Sequence, residues 1–213
     1  MTTTTAPTAR AKRVRLKPEL RAQLILNAAL VEFGARGFAG TRIEDIARRA
    51  GLTKTGVYAH YSSKDAIFEA LLNQVLLQAN QDSASIWNPD GVASLPEMVD
   101  AYLDNLYRMV QNPVFVELFR LLLTEGTRVP EVIRRWHEQV VQRYRAEEQA
   151  LIDACVRRGL LRAGPLTELF SISAAPAFLW LVSKQILGHE SAYPLAQVRR
   201  IHRAMLMEQL QLR

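Results

Sequence analysis

Apolar positions recur at helical spacing along most of the chain, and no stretch alternates with the period of two that a half-buried strand needs. The stripe Leu20, Leu24, Ala28 and Val31, flanked by Leu26, Leu30 and Phe33, predicts a first helix. Pro18 and Glu19 open it, with proline in a first-turn position, and Gly34 and Gly37 end it. Ile43, Ile46, Ala47 and Ala50 share one face of the next segment, RIEDIARRA. Thr41 stands where an N-cap belongs, and Glu44 three residues on would complete a capping box. Glu44–Arg48 and Asp45–Arg49, four apart, are expected to pair on the solvated face. Gly51 suits a left-handed helix end. Thr53 would cap a short helix running to about His60, and Ser62 or Ser63 would cap a longer one, KDAIFEALLNQVLLQAN.

A break at 82–96 precedes helices expected at 96–111, 113–126, 129–158, 166–188 and 195–212. Pro113, Pro130, Pro165 and Pro194 sit at helix starts, whereas Pro176 predicts a kink inside a helix. The expected fold class is all-α: three short N-terminal helices, a linking helix over 64–81, then a helical body. The segment boundaries are a disordered arm at 1–17, a small helical unit at 18–64 and the body at 65–213.

Charge sharpens this division. The net charge is +6, yet residues 1–64 carry 12 Lys/Arg against 4 Asp/Glu (+8), and residues 65–213 carry 15 against 17 (−2). All the excess positive charge therefore lies in the first third, as in a polyanion-binding module joined to a near-neutral body. With 49% hydrophobic residues the chain is not globally disordered. Its one cysteine, Cys155, allows no intrachain disulfide framework and suits a reducing cytoplasm. No signal peptide is expected, because no apolar run follows Met1. The uncharged run 169–183 has 15 residues, short of the roughly 20 that span a bilayer, and reads as a buried helix.

Thr41 to Tyr61 has the grammar of a helix-turn-helix. Ala47 is small where two helices cross steeply, Gly51 permits the turn, and Val57 can pack between the helices. The short second helix would then present Thr53, Lys54, Thr55, Gly56, Tyr58 and His60. Gly56 costs about 1 kcal/mol of helix propensity relative to Ala, and its missing side chain would allow close approach to a base edge. Lys54 suits guanine or phosphate; Tyr58, His60 and Lys64 suit phosphate oxygens.

The stretch TRIEDIARRAGLTKTGVYAHYSSKDAIFEAL resembles the DNA-binding domain of TetR-family (tetracycline-repressor-type) transcriptional regulators. Asp45-Ile46-Ala47, Ala50-Gly51, Thr53, Val57-Tyr58, His60-Tyr61 and Ser63-Lys64-Asp65 carry the resemblance, and ILNAALVEFGARGFAGTRI upstream extends it over 18–75. Gly56 and Ala59 depart from the commonest residues there. The resemblance implies backbone contacts at Thr41, Lys54, Tyr58, His60 and Lys64, and base-facing positions at Thr53, Thr55 and Gly56. The arm residues Arg10, Arg13 and Arg15 would enter a minor groove.

It further implies a two-fold dimer on a palindromic operator, released by a small molecule. Phe170, Ala174, Phe178 and Leu181, with Ile201 and Met205, are the expected dimer surface. The implied effector cavity falls on the middle helices, at Trp87, Tyr102, Asn105, Leu106 and Met109, then Phe115, Phe119 and Arg120, then Trp136, His137 and Val140. Glu117 is a further polar candidate. The aromatic content favours a hydrophobic or aromatic effector. No cofactor or metal is expected: His60, His137, His189 and His202 lie far apart, and no phosphate loop or nucleophile elbow appears. A catalytic role lacks a motif. A membrane-surface role lacks an apolar face beside RAKRVRLK.

Overall fold

A computed structural model of the chain describes residues 17–187 and 193–212, and of 75–82 the backbone alone. The arm residues Arg10, Arg13 and Arg15, and His189, lie outside the described residues. Eleven α-helices follow one another among them: α1 Pro18–Gly40, α2 Ile43–Arg49, α3 Lys54–Tyr58, α4 Lys64–Ile86, α5 Leu95–Gln111, α6 Pro113–Glu125, α7 Pro130–Trp136, α8 Gln142–Arg157, α9 Pro165–Glu168, α10 Ala175–Leu187 and α11 Leu195–Leu210. No described residue is in a strand.

The sequence's end signals explain most boundaries. Pro113, Pro130 and Pro165 stand at first-turn positions, where the missing N–H costs nothing. Asn112 caps α6 by accepting from the amides of Val114 and Phe115 at 2.9 and 3.4 Å. Ser63 caps α4 by accepting from the Ala66 amide at 3.0 Å. Gly37, with φ 70° and ψ 169°, interrupts α1 in a conformation that is essentially glycine-only. A Cβ there would also lie 3.1 Å from the Glu125 carboxylate. Gly37→Ala is expected to destabilise the fold by about 1–3 kcal/mol in denaturant titration.

Two apolar cores are built. The first joins α1, α2, α3 and the start of α4 around Phe33, Phe38, Ile46, Val57 and Phe68, and is closed from the body by Leu118, Leu121 and Val132. The rings of Phe33, Phe38 and Phe68 pack within 5.3–5.7 Å of one another, a tilted or edge-to-face cluster. The second joins α5, α8, α10 and α11 around Trp87, Leu103, Tyr107, Ile152 and Leu181. Buried His202 of α11 pins it, bonding the Tyr107 hydroxyl at 3.1 Å and the Ser173 carbonyl at 2.7 Å.

Several expectations are corrected. On α1 the buried face is Ile25, Leu26, Ala28, Ala29 and Phe33; Leu20, Leu24 and Val31 face out. The ion pairs on α2 run elsewhere: Arg48 and Arg36 to Asp45, Arg49 to Glu32 at 2.6 Å, and Lys54 to Glu44 at 2.6 Å. Pro176 kinks no helix. A 3-10 turn over Phe170–Ala174 precedes it, and α10 starts at Ala175. The 129–158 helix contains a π turn at His137–Val141.

Phe170–Leu187 forms an 18-residue window of mean hydropathy 1.3. Its α-helical part has 13 residues, about 20 Å at 1.5 Å per residue, against a hydrocarbon core of roughly 30 Å. One face of it, Ala177, Trp180 and Leu181, is already buried in the subunit.

Candidate DNA-reading surface and effector cavity

The reading unit is set by α2, the turn and α3. Gly51 makes the turn at φ 67°, and the Leu52 amide donates to the Ala47 carbonyl at 2.9 Å. Val57, fully buried, pins α3 against α1 and α2, which leaves the opposite side of the five-residue helix outward. Lys54, Thr55 and Tyr58 are exposed there, and His60 is half-buried just beyond. Thr53 holds the helix start by accepting from the Gly56 amide at 3.1 Å. Glu44 accepts from Lys54, and this hydrogen bond is the main reason its carboxyl lies below the ordinary range. The Lys54 ammonium lies 5.9 Å from the Tyr58 ring centre.

Two assigned DNA contacts, Thr41 and Lys64, have side chains engaged within the subunit. Thr41 is 1% exposed and is not the N-cap of α2, a position held by Arg42. Its hydroxyl donates to the Gly37 and Glu32 carbonyls at 2.8 and 3.0 Å, closing the end of α1. Lys64 is a staple. Its ammonium donates to the Phe38 and Thr41 carbonyls at 2.6 and 3.0 Å and sits over the Phe38 ring, and burial pushes its pKa down. A Cβ on Gly56 would meet Thr53 Oγ1 at 3.3 Å and Leu52 Cβ at 3.7 Å, so a side chain there would crowd the cap of α3. Arg42, exposed at the start of α2, is the cation the sequence reasoning passed over. The signal was its place immediately before the capped segment.

A cavity of about 410 Å³ lies in the body, walled by α4, α5, α6, the end of α7, the π turn, α8, the 3-10 turn before α10 and α10 itself. Tyr102, Asn105, Leu106, Met109, Phe115, Phe119, Trp136 and His137 line it, as the sequence led us to expect. Trp87 does not: it is wholly buried, packed on Tyr102 and Phe170 at 5.6 and 5.0 Å. Arg120 does not: its guanidinium bridges Glu117 and the Gly34 carbonyl, at 2.6 and 3.0 Å, across the α6–α1 contact, and that occupies Glu117 as well. Val140 gives way to Val141, since the π turn carries an extra residue past the ideal helical register.

Ser83, Arg145, Glu148 and Ser171 were missed, and Tyr144 lines the wall beside them. Glu148 lies one helical turn after Tyr144, in a charged run, QRYRAEEQ. The cavity has two ends. Phe115, Phe119 and Phe178 form an aromatic cluster with centroids 5.5–6.1 Å apart. Elsewhere on the wall, Glu148 Oε1 accepts from Ser83 at 3.2 Å and Tyr144 at 3.3 Å, and the Tyr102 hydroxyl meets Ser173 Oγ at 2.6 Å. Burial raises the pKa of Glu148 and pushes Tyr144 up to about 12.

The assigned dimer surface also changes. Phe170 and Leu181 are wholly buried within the subunit, and Ala174 and Phe178 line the cavity. The outward apolar face of this region is Leu169, Ile172, Leu179, Ile186 and Leu187, with Ile201 and Met205 of α11, the last two as expected. The described residues hold no group of three His, Cys, Asp or Glu able to take a metal.

The comparisons with known proteins agree with this architecture. Residues 25–71 match the model of bacterial regulatory proteins of the tetR family, and residues 97–187 match the C-terminal domain of AefR-like transcriptional repressors. The HTH-type transcriptional repressor SCO4008 of Streptomyces coelicolor is 30% identical over 161 residues, which is 75% of this chain and 78% of that protein. The HTH-type regulator RutR of Escherichia coli is 48% identical, over 52 residues that make up 24% of either chain. Among solved structures, a TetR-family regulator from Mesorhizobium loti has a TM-score of 0.70 at 19% identity, covering 93% of this chain and all of that one. A SmeT–triclosan complex has 0.70 at 18%, covering 89% of this chain and 90% of that one. The chain belongs to the TetR family: it is a helix-turn-helix, DNA-binding transcriptional repressor and not an enzyme.

Proposed function

We propose that the protein is a cytoplasmic homodimer that represses by occupying a palindromic operator, and that it leaves the operator when a small molecule fills the body cavity. The observation that carries this reading is the pair of ties joining the cavity wall to the reading unit. Phe115, Leu118, Phe119 and Leu122 of α6 line the cavity. The same helix holds the end of α1 through Arg120 to the Gly34 carbonyl and through Glu125, whose Oε2 accepts from the Phe38 amide at 3.1 Å. The second tie is α4, with Ser83 in the wall at one end and Lys64 bound to the α1 carbonyls at the other. A ligand that spreads α6 from α4 and α8 displaces α1, and with it α3.

The reading face is Thr53, Lys54, Thr55, Tyr58 and His60, with Arg42 on phosphate. Arg10, Arg13 and Arg15 reach from the arm toward the minor groove. A second copy covers Leu179, Ile186, Ile201 and Met205, in an isologous helix packing that spaces the two reading helices about 34–36 Å apart. An apolar effector suits the aromatic cluster, and a protein of similar fold, SmeT, forms a complex with triclosan.

The coupling is a population shift, expected to weaken operator binding about 5–150-fold when the cavity is filled. Fluorescence anisotropy on operator DNA at fixed salt, with and without a ligand shown by calorimetry to bind, checks it. Equal operator affinity with every bound ligand contradicts the release mechanism and leaves DNA binding intact.

A further inference from the structure

We propose that the cavity is built for a lipophilic monocation, an arylalkyl amine or ammonium, with Glu148 as its buried counter-charge and the phenyl cluster as the seat of its apolar body. This rests on the cavity being the effector site. Glu148 is 7% exposed and is the one acidic residue of the wall. Its Oε1 accepts from two neutral hydroxyls, Ser83 and Tyr144; Oε2 takes no hydrogen bond from a described residue, and no described Lys, Arg or His pairs with it. A buried carboxylate without a cation is costly, by several kcal/mol per ion after relaxation. The two other buried glutamates, Glu32 and Glu125, each pair with an arginine, at 2.6 and 3.2 Å, whereas Glu148 pairs with no described cation.

The surroundings favour a cation over a neutral donor. Tyr102 and Tyr144 are held in their neutral forms by burial, so Glu148 sets the sign of that part of the wall. Tyr144, whose hydroxyl bonds Oε1, and Tyr102 bring aromatic rings near it, a setting that favours a cation further. The two basic residues of the wall are His137 and Arg145. Arg145 is exposed, and its attraction for Glu148 comes after burial and the two hydroxyl hydrogen bonds among the influences on that carboxyl. A ligand ammonium would satisfy Oε2 with a charge-assisted hydrogen bond, the stronger kind. Met109, Leu118 and Leu122 would pack on its apolar body.

Three probes of one shape test this: phenylbutylamine, phenylbutanol and phenylbutyrate, titrated calorimetrically into the full chain and assayed for operator release. The amine is expected to bind at least about tenfold tighter than the alcohol, and the carboxylate weakest. Glu148→Gln should weaken the amine at least about thirtyfold, the lower range for truncating one partner of a buried charge pair, and leave the alcohol within about threefold. Tyr144→Phe, which keeps the carboxylate, should retain the preference for the amine.

The ligand-free fold supplies an independent readout. Glu148 has a raised pKa in the folded state, so its contribution is favourable below the ordinary 4.5 and is lost as pH rises through the folded value. Glu148→Gln should therefore melt higher than the wild type at pH 7.5 and not at pH 4. Alcohol binding as tight as amine binding, or a carboxylate preference, overturns the cation assignment while keeping the effector site. A Glu148→Gln variant that melts lower at pH 7.5 shows a structural carboxylate and also overturns it. Binding by none of the three, with the operator complex unmoved, counts against both readings.

Discussion

Replacing Leu179 and Ile186 together by arginine is expected to convert the protein into a folded monomer and to weaken operator binding by about a thousandfold or more, the low end of the gap between specific and non-specific binding. These side chains are 69% and 76% exposed in the single subunit, so the substitution removes no internal packing. They lie seven residues apart, two turns along the same face of α10, and Ile172 seven residues before Leu179 continues the line through the preceding 3-10 turn. With Ile201 and Met205 of α11 they form a row of large apolar side chains on adjacent helices. The few central positions of an interface cost about 2 kcal/mol or more when truncated, and a buried unpaired charge costs several kcal/mol further. Sedimentation velocity reads the oligomeric state and circular dichroism the fold. A double variant that remains dimeric moves the interface off this face.

The second large effect is at α3. Lys54→Ala with Tyr58→Ala should reduce operator affinity by at least about a hundredfold, with the dimer and its melting temperature nearly unchanged. Both side chains are exposed, Tyr58 at 45%, and the one ion pair broken, Lys54–Glu44, is on the surface, where such pairs add little to stability. Each dimer loses two lysines, so the slope of log affinity against log salt should become shallower by about 2. Anisotropy titrations across a salt series supply both numbers. Lys64→Met is expected to behave differently: its ammonium ties three segments of the first core together, so its loss should show first in stability.

The contrast between these lysines marks what was legible in the sequence. The family pattern places Lys54 and Lys64 alike near DNA. Nothing in a linear sequence says that one ammonium points outward from a five-residue helix while the other turns back onto the carbonyls of Phe38 and Thr41. Helix order and most ends were readable because Pro, Gly and Ser impose local conformations that tertiary packing does not override; the number was not, since the 129–158 and 166–188 segments are each divided in two, by a π turn and a 3-10 turn respectively. Thr41 misled because a hydroxyl between two helices can serve either end, and here it closes α1 while Arg42 starts α2.

The cavity was half-readable for a similar reason. The apolar liners of α5 and α6 follow the amphipathic period of their helices. Trp87 looks the same by composition yet packs inside the second core, and the π turn exchanges Val140 for Val141. Glu148 was invisible because a carboxylate in a charged run predicts solvent, and only the packing of α4 on α8 buries it. The region was read as apolar correctly, but Phe170 and Leu181 of the assigned residues are buried within the subunit and Ala174 and Phe178 line its cavity. A helix apolar on most of its circumference gives no sign of which face its own subunit will use, and α10 turns Ala177, Trp180 and Leu181 inward.

The central claim is that this protein reads a palindrome through α3 as a dimer. Its most direct test is selection of genomic fragments bound by the full chain at fixed salt, run in parallel with the Lys54→Ala/Tyr58→Ala variant. The account predicts enrichment of an inverted repeat whose half-sites face one side of the duplex about a helical turn or a small multiple apart, and loss of that enrichment in the variant. Fragments without an inverted repeat, or the same repeat recovered by the variant, would contradict it.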